Sequence, residues 1–305
     1  MRKWVIFGAH GFIARHLSQH LLAQGDEICG VVRNAASVGG EGAPKIPFID
    51  SNEFWTEQGA EALRKANAFV YLAHSSVPAS NKQEPWRELS ENVAPTLRAI
   101  SRVLDCNQDV KIIYLSSGGQ VYGDGHSKPI PETATLQPST AYGLGKVLIE
   151  EALHFLTRKR SSAVAILRVA NPVGRWQSGT RQGLAAAAVR ASHAGETLCI
   201  YGDGRNKRDY FDADDLAGAI EAAATHASDA RSPKIFNVGA GIAHTELELI
   251  KIVEEMVGRK VALKFVPRRE TDFRYAVLDC RKAFVDLNWK AETSLRDTVS
   301  KMIQR

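Results

Sequence analysis

The sequence predicts an α/β protein: a doubly wound parallel sheet, with a smaller α+β lobe towards the C-terminus. Three observations predict it. Short apolar runs alternate with longer helical stretches. Glycines fall where the first run turns into the first helix. After Pro172 the alternation gives way to shorter mixed segments. On this reading residues 1–170 form the sheet domain, which also receives about 212–240, and residues 171–305 mainly form the lobe.

Lys3–Phe7 reads as a buried parallel strand ending at Gly8. Gly8-Ala9-His10-Gly11-Phe12-Ile13-Ala14 follows, and the next helix carries Phe12, Ile13, Leu17, Leu21 and Leu22 on one side before stopping at Gly25. Glu27–Val32 is the second strand. Glycines at a strand-to-helix turn inside a βαβ unit are the setting in which a dinucleotide pyrophosphate is held: Gly8 permits the tight turn, Gly11 lets N–H groups approach at the helix N-terminus, and Ala14 is small enough for close packing. The sheet is therefore of the Rossmann type. An acidic residue at the end of the second strand would bind the ribose of NAD; the chain instead has Arg33, followed by Asn34, Ser37 and the loop Gly39-Gly40-Glu41-Gly42. A guanidinium suits a 2′-phosphate, so the cofactor expected is NADP or NAD, with the lean to NADP.

Lys45–Ile49 is expected to be a third strand, with Asp50 at its end against the adenine edge. Ala68–Ala73 is a fourth, leading into His74-Ser75-Ser76; a helix from about Pro85 to Leu104 carries Asn92; Lys111–Leu115 is a fifth, ending at Ser116-Ser117. A helix running to about Arg158 follows, then a sixth strand, Ala163–Val169, ending at Asn171-Pro172. In such sheets ligands bind at the carboxyl ends of the strands, where these polar residues collect. Beyond them Gly183–Ala194 and Asp214–Ala227 read as helices and Ile235–Val238 as a short strand. Thr245 and Glu248 form a capping box for the helix through Val257, and Ser294 with Asp297 begins the last one.

Chemistry centres on Tyr142-Gly143-Leu144-Gly145-Lys146. Residues four apart share a helix face. An ammonium beside a phenol favours the phenolate, which can take a proton from a hydroxyl while a hydride leaves the same carbon. Alone the spacing is weak; the glycine turn and the serines upstream give it weight.

Hydrophobic residues make up 44% of the 305, charged residues 24%, and the net charge is +5, values of an ordinary soluble protein with a surface that attracts anions. No basic run interleaves with aromatics, so nucleic acid is not expected as a partner. Cys29, Cys106, Cys199 and Cys280 are scattered without a Cys-x-x-Cys pair and read as reduced thiols. The first strand begins almost at Met1, leaving no room for a signal peptide, and no apolar run approaches membrane-spanning length; a cytoplasmic location without membrane contact is expected.

Together these residues resemble the extended short-chain dehydrogenase/reductase family, in its NAD-dependent epimerase/dehydratase branch acting on nucleotide sugars. The resemblance covers nearly the whole chain. It rests on Gly8–Ala14, Tyr71-Leu72-Ala73, Asn92, the run Ser116-Ser117-Gly118-Gly119-Gln120-Val121-Tyr122-Gly123, Tyr142 with Lys146, Leu167-Arg168 with Asn171-Pro172, Arg208-Asp209-Tyr210, Arg269 with Asp272, and Leu287-Asn288-Trp289. It implies catalysis by Tyr142 and Lys146 with Ser117 or Ser116. Gly8, Gly11, Phe12, Ile13, Arg33 and Asp50, then Leu72, Ala73, His74, Asn92 and Val169, with Tyr142 and Lys146, would bind the cofactor. Ser76, Asn171, Arg208 and Arg269 would bind the nucleotide sugar, and Arg175 and Trp176 would line the same cleft. It further implies a homodimer through the helices around Asn92 and Val147. Many members carry Ser or Thr where this chain has Gly118, so Ser117, or a water beside Gly118, is expected to bridge phenol and sugar. Dehydratases carry Asp-Glu where this chain has Gly119 and Gln120, which argues against that activity.

The activity implied is a 4-epimerase of a UDP-hexose working through a transient 4-keto sugar. The first rival is an NADPH-dependent reductase of 4-keto-6-deoxy nucleotide sugars, which Arg33 favours. A dinucleotide-sensing protein without catalysis is the reading from another class; the Tyr/Lys pair and the arginines weigh against it.

Overall fold

The computed structural model describes residues 1–39, 42–77, 84–158, 162–178, 183–226, 232–269 and 271–304. Gly40 and Glu41 of the glycine-rich loop, and Ala227 at the expected end of a helix, lie outside them.

The chain runs β1 (Lys3–Phe7), α1 (Phe12–Ala23), β2 (Glu27–Val32), β3 (Phe48–Asp50), α2 (Glu57–Arg64), β4 (Ala68–Tyr71) and α3 (Pro85–Glu88), which passes through a π-helical turn at Leu89–Val93 into α4 (Ala94–Cys106). It continues as β5 (Lys111–Ser117), α5 (Ala141–Thr157), β6 (Val164–Val169), β7 (Asn171–Val173), α6 (Leu184–Ala194), β8 (Thr197–Tyr201) and β9 (Lys207–Asp212). Last come α7 (Ala213–His226), β10 (Lys234–Val238), β11 (Ala243–Thr245), α8 (Glu246–Val257), β12 (Ala262–Val266), β13 (Tyr275–Ala276), α9 (Arg281–Leu287) and α10 (Leu295–Ile303).

Among the described residues, seven strands form one parallel sheet in the order β10-β6-β5-β4-β1-β2-β3. Alternate side chains serve opposite faces, as strand geometry requires. Trp4, Ile6, Ile113 and Leu115 pack with α1, α7 and α9, while Val5, Ile112 and Tyr114 pack with α2, α4 and α5. The seventh strand and α7 come from after the lobe has begun, so the chain crosses between the two halves more than once. The lobe has its own core, where α6, α8 and α10 enclose Ile200 and Tyr210. Thr245 and Glu248 form the expected capping box, and the Ser294 side chain accepts from the Asp297 N–H.

Two boundaries moved for physical reasons. The third strand starts at Phe48 rather than Lys45, because Pro47 has no N–H to give the ladder and contributes only its carbonyl, to Gly30. The helix expected from Pro85 is interrupted by the π turn, which carries Asn92. π turns of this kind recur beside functional sites.

Candidate active site

A cleft of about 700 Å³ opens along the carboxyl ends of the central strands and continues under the lobe. Its floor is the turn after β1. Gly8 has φ +88°, and a Cβ there would sit 2.7 Å from the Ala73 nitrogen, so only glycine lets this turn lie against the end of β4. Gly11 is the N-cap of α1, extended and without a side-chain cap, and the first turn holds no acidic residue. The N-terminus of α1 thus offers its free N–H groups and positive dipole end to an anion. These features fit a dinucleotide pyrophosphate. Gly11, Phe12, Ile13, Leu72, Ala73 and Val169 line the cleft.

Arg33, Asp50, Asn92 and Gly8 do not line it. Arg33 is exposed at the end of β2. Asp50 accepts from the Ala35 N–H at 2.6 Å, so its carboxylate shapes the turn after Arg33 rather than standing free for adenine. Asn92 accepts from the Ser75 N–H at 2.8 Å and holds the segment after β4 in place. Of Arg175 and Trp176, the tryptophan lines the cleft, while the Arg175 carbonyl lies 2.9 Å from His16 Nε2.

The orientation of α5 follows from its buried contacts. Thr140 caps it by accepting from the Gly143 N–H. One turn beyond Lys146, Glu150 pairs with Arg168 of β6 at 2.7 Å, both side chains almost fully buried. The Ser116 hydroxyl donates to Glu150, and the guanidinium also donates to the Tyr122 hydroxyl and the Glu132 carbonyl. A buried ion pair with its remaining hydrogen-bonding capacity met leaves the helix one rotation about its axis. That rotation puts Tyr142 and Lys146 into the cleft wall.

Ser116 and Ser117 are thereby separated. Neighbours on a strand face opposite sides: Ser116 serves the Glu150 network, and Ser117 hydrogen-bonds the Tyr142 phenol. Both serines line the cleft, but the Ser116 hydroxyl is engaged by Glu150, which leaves Ser117 as the one bonded to the phenol. The structure also explains Gly118. A Cβ there would lie 2.4 Å from Leu278 Cδ1, so Leu278 fills the space a side chain would need.

A correction concerns charge. Burial pushes the Tyr142 phenol up to about 12, the Ser117 hydrogen bond working against it and the Glu88 charge with it. Lys146 does not offset this. Its Nζ donates to the Leu115 carbonyl at 2.9 Å, lies 5.5 Å from the centre of the Tyr142 ring, and is itself drawn down to about 8 by burial. The protein alone holds the pair as phenol and ammonium at neutral pH.

Towards the lobe, Asn171, Arg208 and Arg269 line the cleft. Arg208 and Asp209 are not an ion pair. The guanidinium donates to the Phe273 carbonyl at 2.7 Å, whereas Asp209, fully buried, accepts from the N–H groups of Ala240, Gly241 and Leu278. Burial outweighs those bonds and raises its carboxyl to about 6. The Arg269 guanidinium stacks 3.4 Å over the Tyr201 ring, and its backbone N–H donates to Asp272. Ser76 and His74 line the sheet side of the cleft. The Ser76 hydroxyl donates to Glu88. Sequence reasoning missed Glu88, Glu150 and Leu278; of these only Glu150, one turn from Lys146, carried a local signal.

The model of the NAD dependent epimerase/dehydratase family matches residues 4–239. The chain belongs to that family. Among relatives of this epimerase/dehydratase, the dTDP-4-dehydro-6-deoxyglucose reductase of Escherichia coli is 29% identical over 262 residues, covering 85% of this chain and 81% of its own. The UDP-glucose 4-epimerase of Mycolicibacterium smegmatis is 28% identical and covers 99% and 97%. The crystal structure of the UDP-glucose 4-epimerase of Thermotoga maritima with UDP-glucose superposes with a TM-score of 0.87 at 26% identity, covering 99% and 97%.

Proposed function

We propose that the chain is an NAD(P)-dependent nucleotide-sugar 4-epimerase, acting on a UDP-hexose through a 4-keto sugar. The observation that carries this reading is the continuity of one cleft from the α1 N-terminus, past Ser117, Tyr142 and Lys146, to Arg208 and Arg269. A dinucleotide and a nucleotide sugar can then meet over the phenol. The two guanidiniums suit the phosphates.

When bound, the oxidised nicotinamide supplies a hydride acceptor and a positive charge near the phenol. With that positive charge bound, Tyr142 would first release its own proton to solvent; as the phenolate it would take the proton of the sugar 4-hydroxyl when carbon 4 is oxidised and return it when carbon 4 is reduced from the other face. Ser117 orients the phenol oxygen. Lys146 is held on the Leu115 carbonyl; there it would keep an ammonium on the same side and would bind the nicotinamide ribose.

The test is incubation with UDP-sugars and no added cofactor. Interconversion supports the epimerase. Inactivity until NADPH and a 4-keto sugar are supplied would overturn it in favour of the reductase, the reading favoured by the Escherichia coli relative and by Arg33. The preference for NADP over NAD rests on Arg33 alone; a clear NAD preference in binding removes it. We also infer a homodimer through α4 and α5. Trp86 and Phe155, on α3 and α5, are 66% and 71% exposed and would be covered there; sedimentation as a monomer rejects it. Among the described residues no helix is long and apolar enough to cross a membrane, and the free thiols fit the proposed cytoplasmic location.

A further inference from the structure

Glu88 is a buried carboxylate that the proposed proton transfer does not use. It closes α3, is 6% exposed, and reaches the back of the cleft wall. One oxygen accepts from the Ser76 hydroxyl at 2.7 Å; the other lies 2.9 Å from His74 Nε2. The room it occupies is made by Gly145 on α5, where a Cβ would sit 2.5 Å from Glu88 Cγ. The second glycine of the Tyr-Gly-Leu-Gly-Lys run is therefore the seat of an acid carried by another helix. His74 in turn packs edge-to-face on the Tyr142 ring, with centroids 5.0 Å apart and planes at 86°. Glu88, His74 and Tyr142 make a row that ends on the reacting phenol.

The groups facing this row come from every element around it. His74 and Ser76 follow β4; Asn92 stands on the π turn; Tyr142 and Lys146 belong to α5, and Tyr114 to β5. Glu150 also acts on Lys146, but is already paired with Arg168. Burial works to raise the Glu88 carboxyl, yet the close approach of His74 and the hydrogen bond from Ser76 leave it lowered, so it is ionised at neutral pH. Burial and Lys146 bring His74 down to about 4, so the imidazole is neutral. The row thus carries one negative charge, on Glu88, beside an ammonium drawn down to about 8.

Resting on the Tyr142 chemistry above, we propose that Glu88 is a positioning residue of the reaction centre: seated on Gly145, it fixes the His74 ring against the phenol and supplies the counter-charge that sets the protonation of the Tyr142–Lys146 pair. Its charge makes the phenol harder to ionise and the ammonium harder to lose. Without it both groups titrate at lower pH.

The test is E88Q in the full-length protein, which keeps the shape and removes the charge. The readout is the pH profile of a single hydride transfer from bound nucleotide sugar, followed by nicotinamide absorbance. Both limbs are expected to move to lower pH by about one unit. A rate that falls with both limbs in place makes Glu88 merely structural and overturns the proposal, as does an unchanged enzyme. Should E88Q fail to fold, E88D carries the test: it draws the charge back from His74, so both limbs move in the same sense by less, and unmoved limbs overturn the proposal. Y142F separates this from the reading it rests on. If Y142F still turns over, the chemistry proposed above fails. If Y142F is dead and the limbs of E88Q stay put, only the role of Glu88 fails.

Discussion

The two walls of the cleft are built differently. On the sheet side the functional groups stand on the first turns of the long helix α5 and at the end of the buried strand β5, and they are fixed by contacts behind them: Tyr142 and Lys146 by the Glu150–Arg168 pair, Ser117 by the pleat of β5. On the lobe side the elements are short, and the arginines are held by carbonyls and a ring: Arg208 by Phe273, Arg269 by Tyr201. The sheet wall is a rigid scaffold suited to placing a proton within tenths of an ångström. The lobe wall is a set of clamps suited to gripping charge. The difference teaches that damage to the first should appear in turnover and damage to the second in substrate affinity.

The largest expected effect tests the sheet wall. Y142F should lower kcat by about 10²–10⁴-fold with nucleotide-sugar binding nearly intact, since general acid–base groups contribute in that range; assay of turnover beside calorimetric binding checks it. In the wild type the rate should fall above about pH 8 as Lys146 loses its proton, and it should not fall there if that ammonium plays no part. The lobe wall is tested by R208A and R269A. Each should raise KM about 10- to 100-fold and change kcat little, because a hydrogen bond to a charged group is worth about 1.5–3 kcal/mol. A fall in kcat with KM unchanged would break the comparison.

D209A should destabilise the fold by about 1–3 kcal/mol in thermal melts, for it strips an acceptor from buried N–H groups. The sign of its pH effect is fixed. Because the folded carboxyl is raised to about 6, above the usual 3.8, this residue costs stability as pH rises from about 4 through 6. The D209A penalty should accordingly be greatest at acid pH and shrink across that window. The smallest effect falls outside both walls: R33A should lower the NADP-to-NAD affinity ratio several-fold and leave turnover with saturating cofactor alone.

The sheet was legible because each strand announces itself locally, by an apolar run closed by glycine or serine. The third strand misled at Pro47 because a missing donor outweighs an apolar pattern. The lobe was legible only as helices; β7, β9, β11 and β13 are two to six residues long and pair across distant parts of the chain, so no window contains the signal. The same distinction separates Tyr142 from Glu88. Tyr142 and Lys146 are one helical turn apart and can be read together. Glu88 acquires meaning only because Gly145, on a different helix, makes room for it. The phenol's ionisation was likewise beyond reading, since spacing shows that an ammonium is near but not that it is turned to the Leu115 carbonyl.

Leu278 has a mechanical consequence. It belongs to the chain leaving β13, bridges to Ile130, rests where Gly118 lacks a side chain, and gives its N–H to Asp209. A swing of the lobe away from the sheet must drag this aliphatic wedge out of the wall beside the phenol and unfasten the carboxylate that ties β9 to the loop after β10. The half proposed to grip the nucleotide is latched to the half proposed to handle the proton, so the cleft cannot gape along that seam without disturbing the corner around Tyr142.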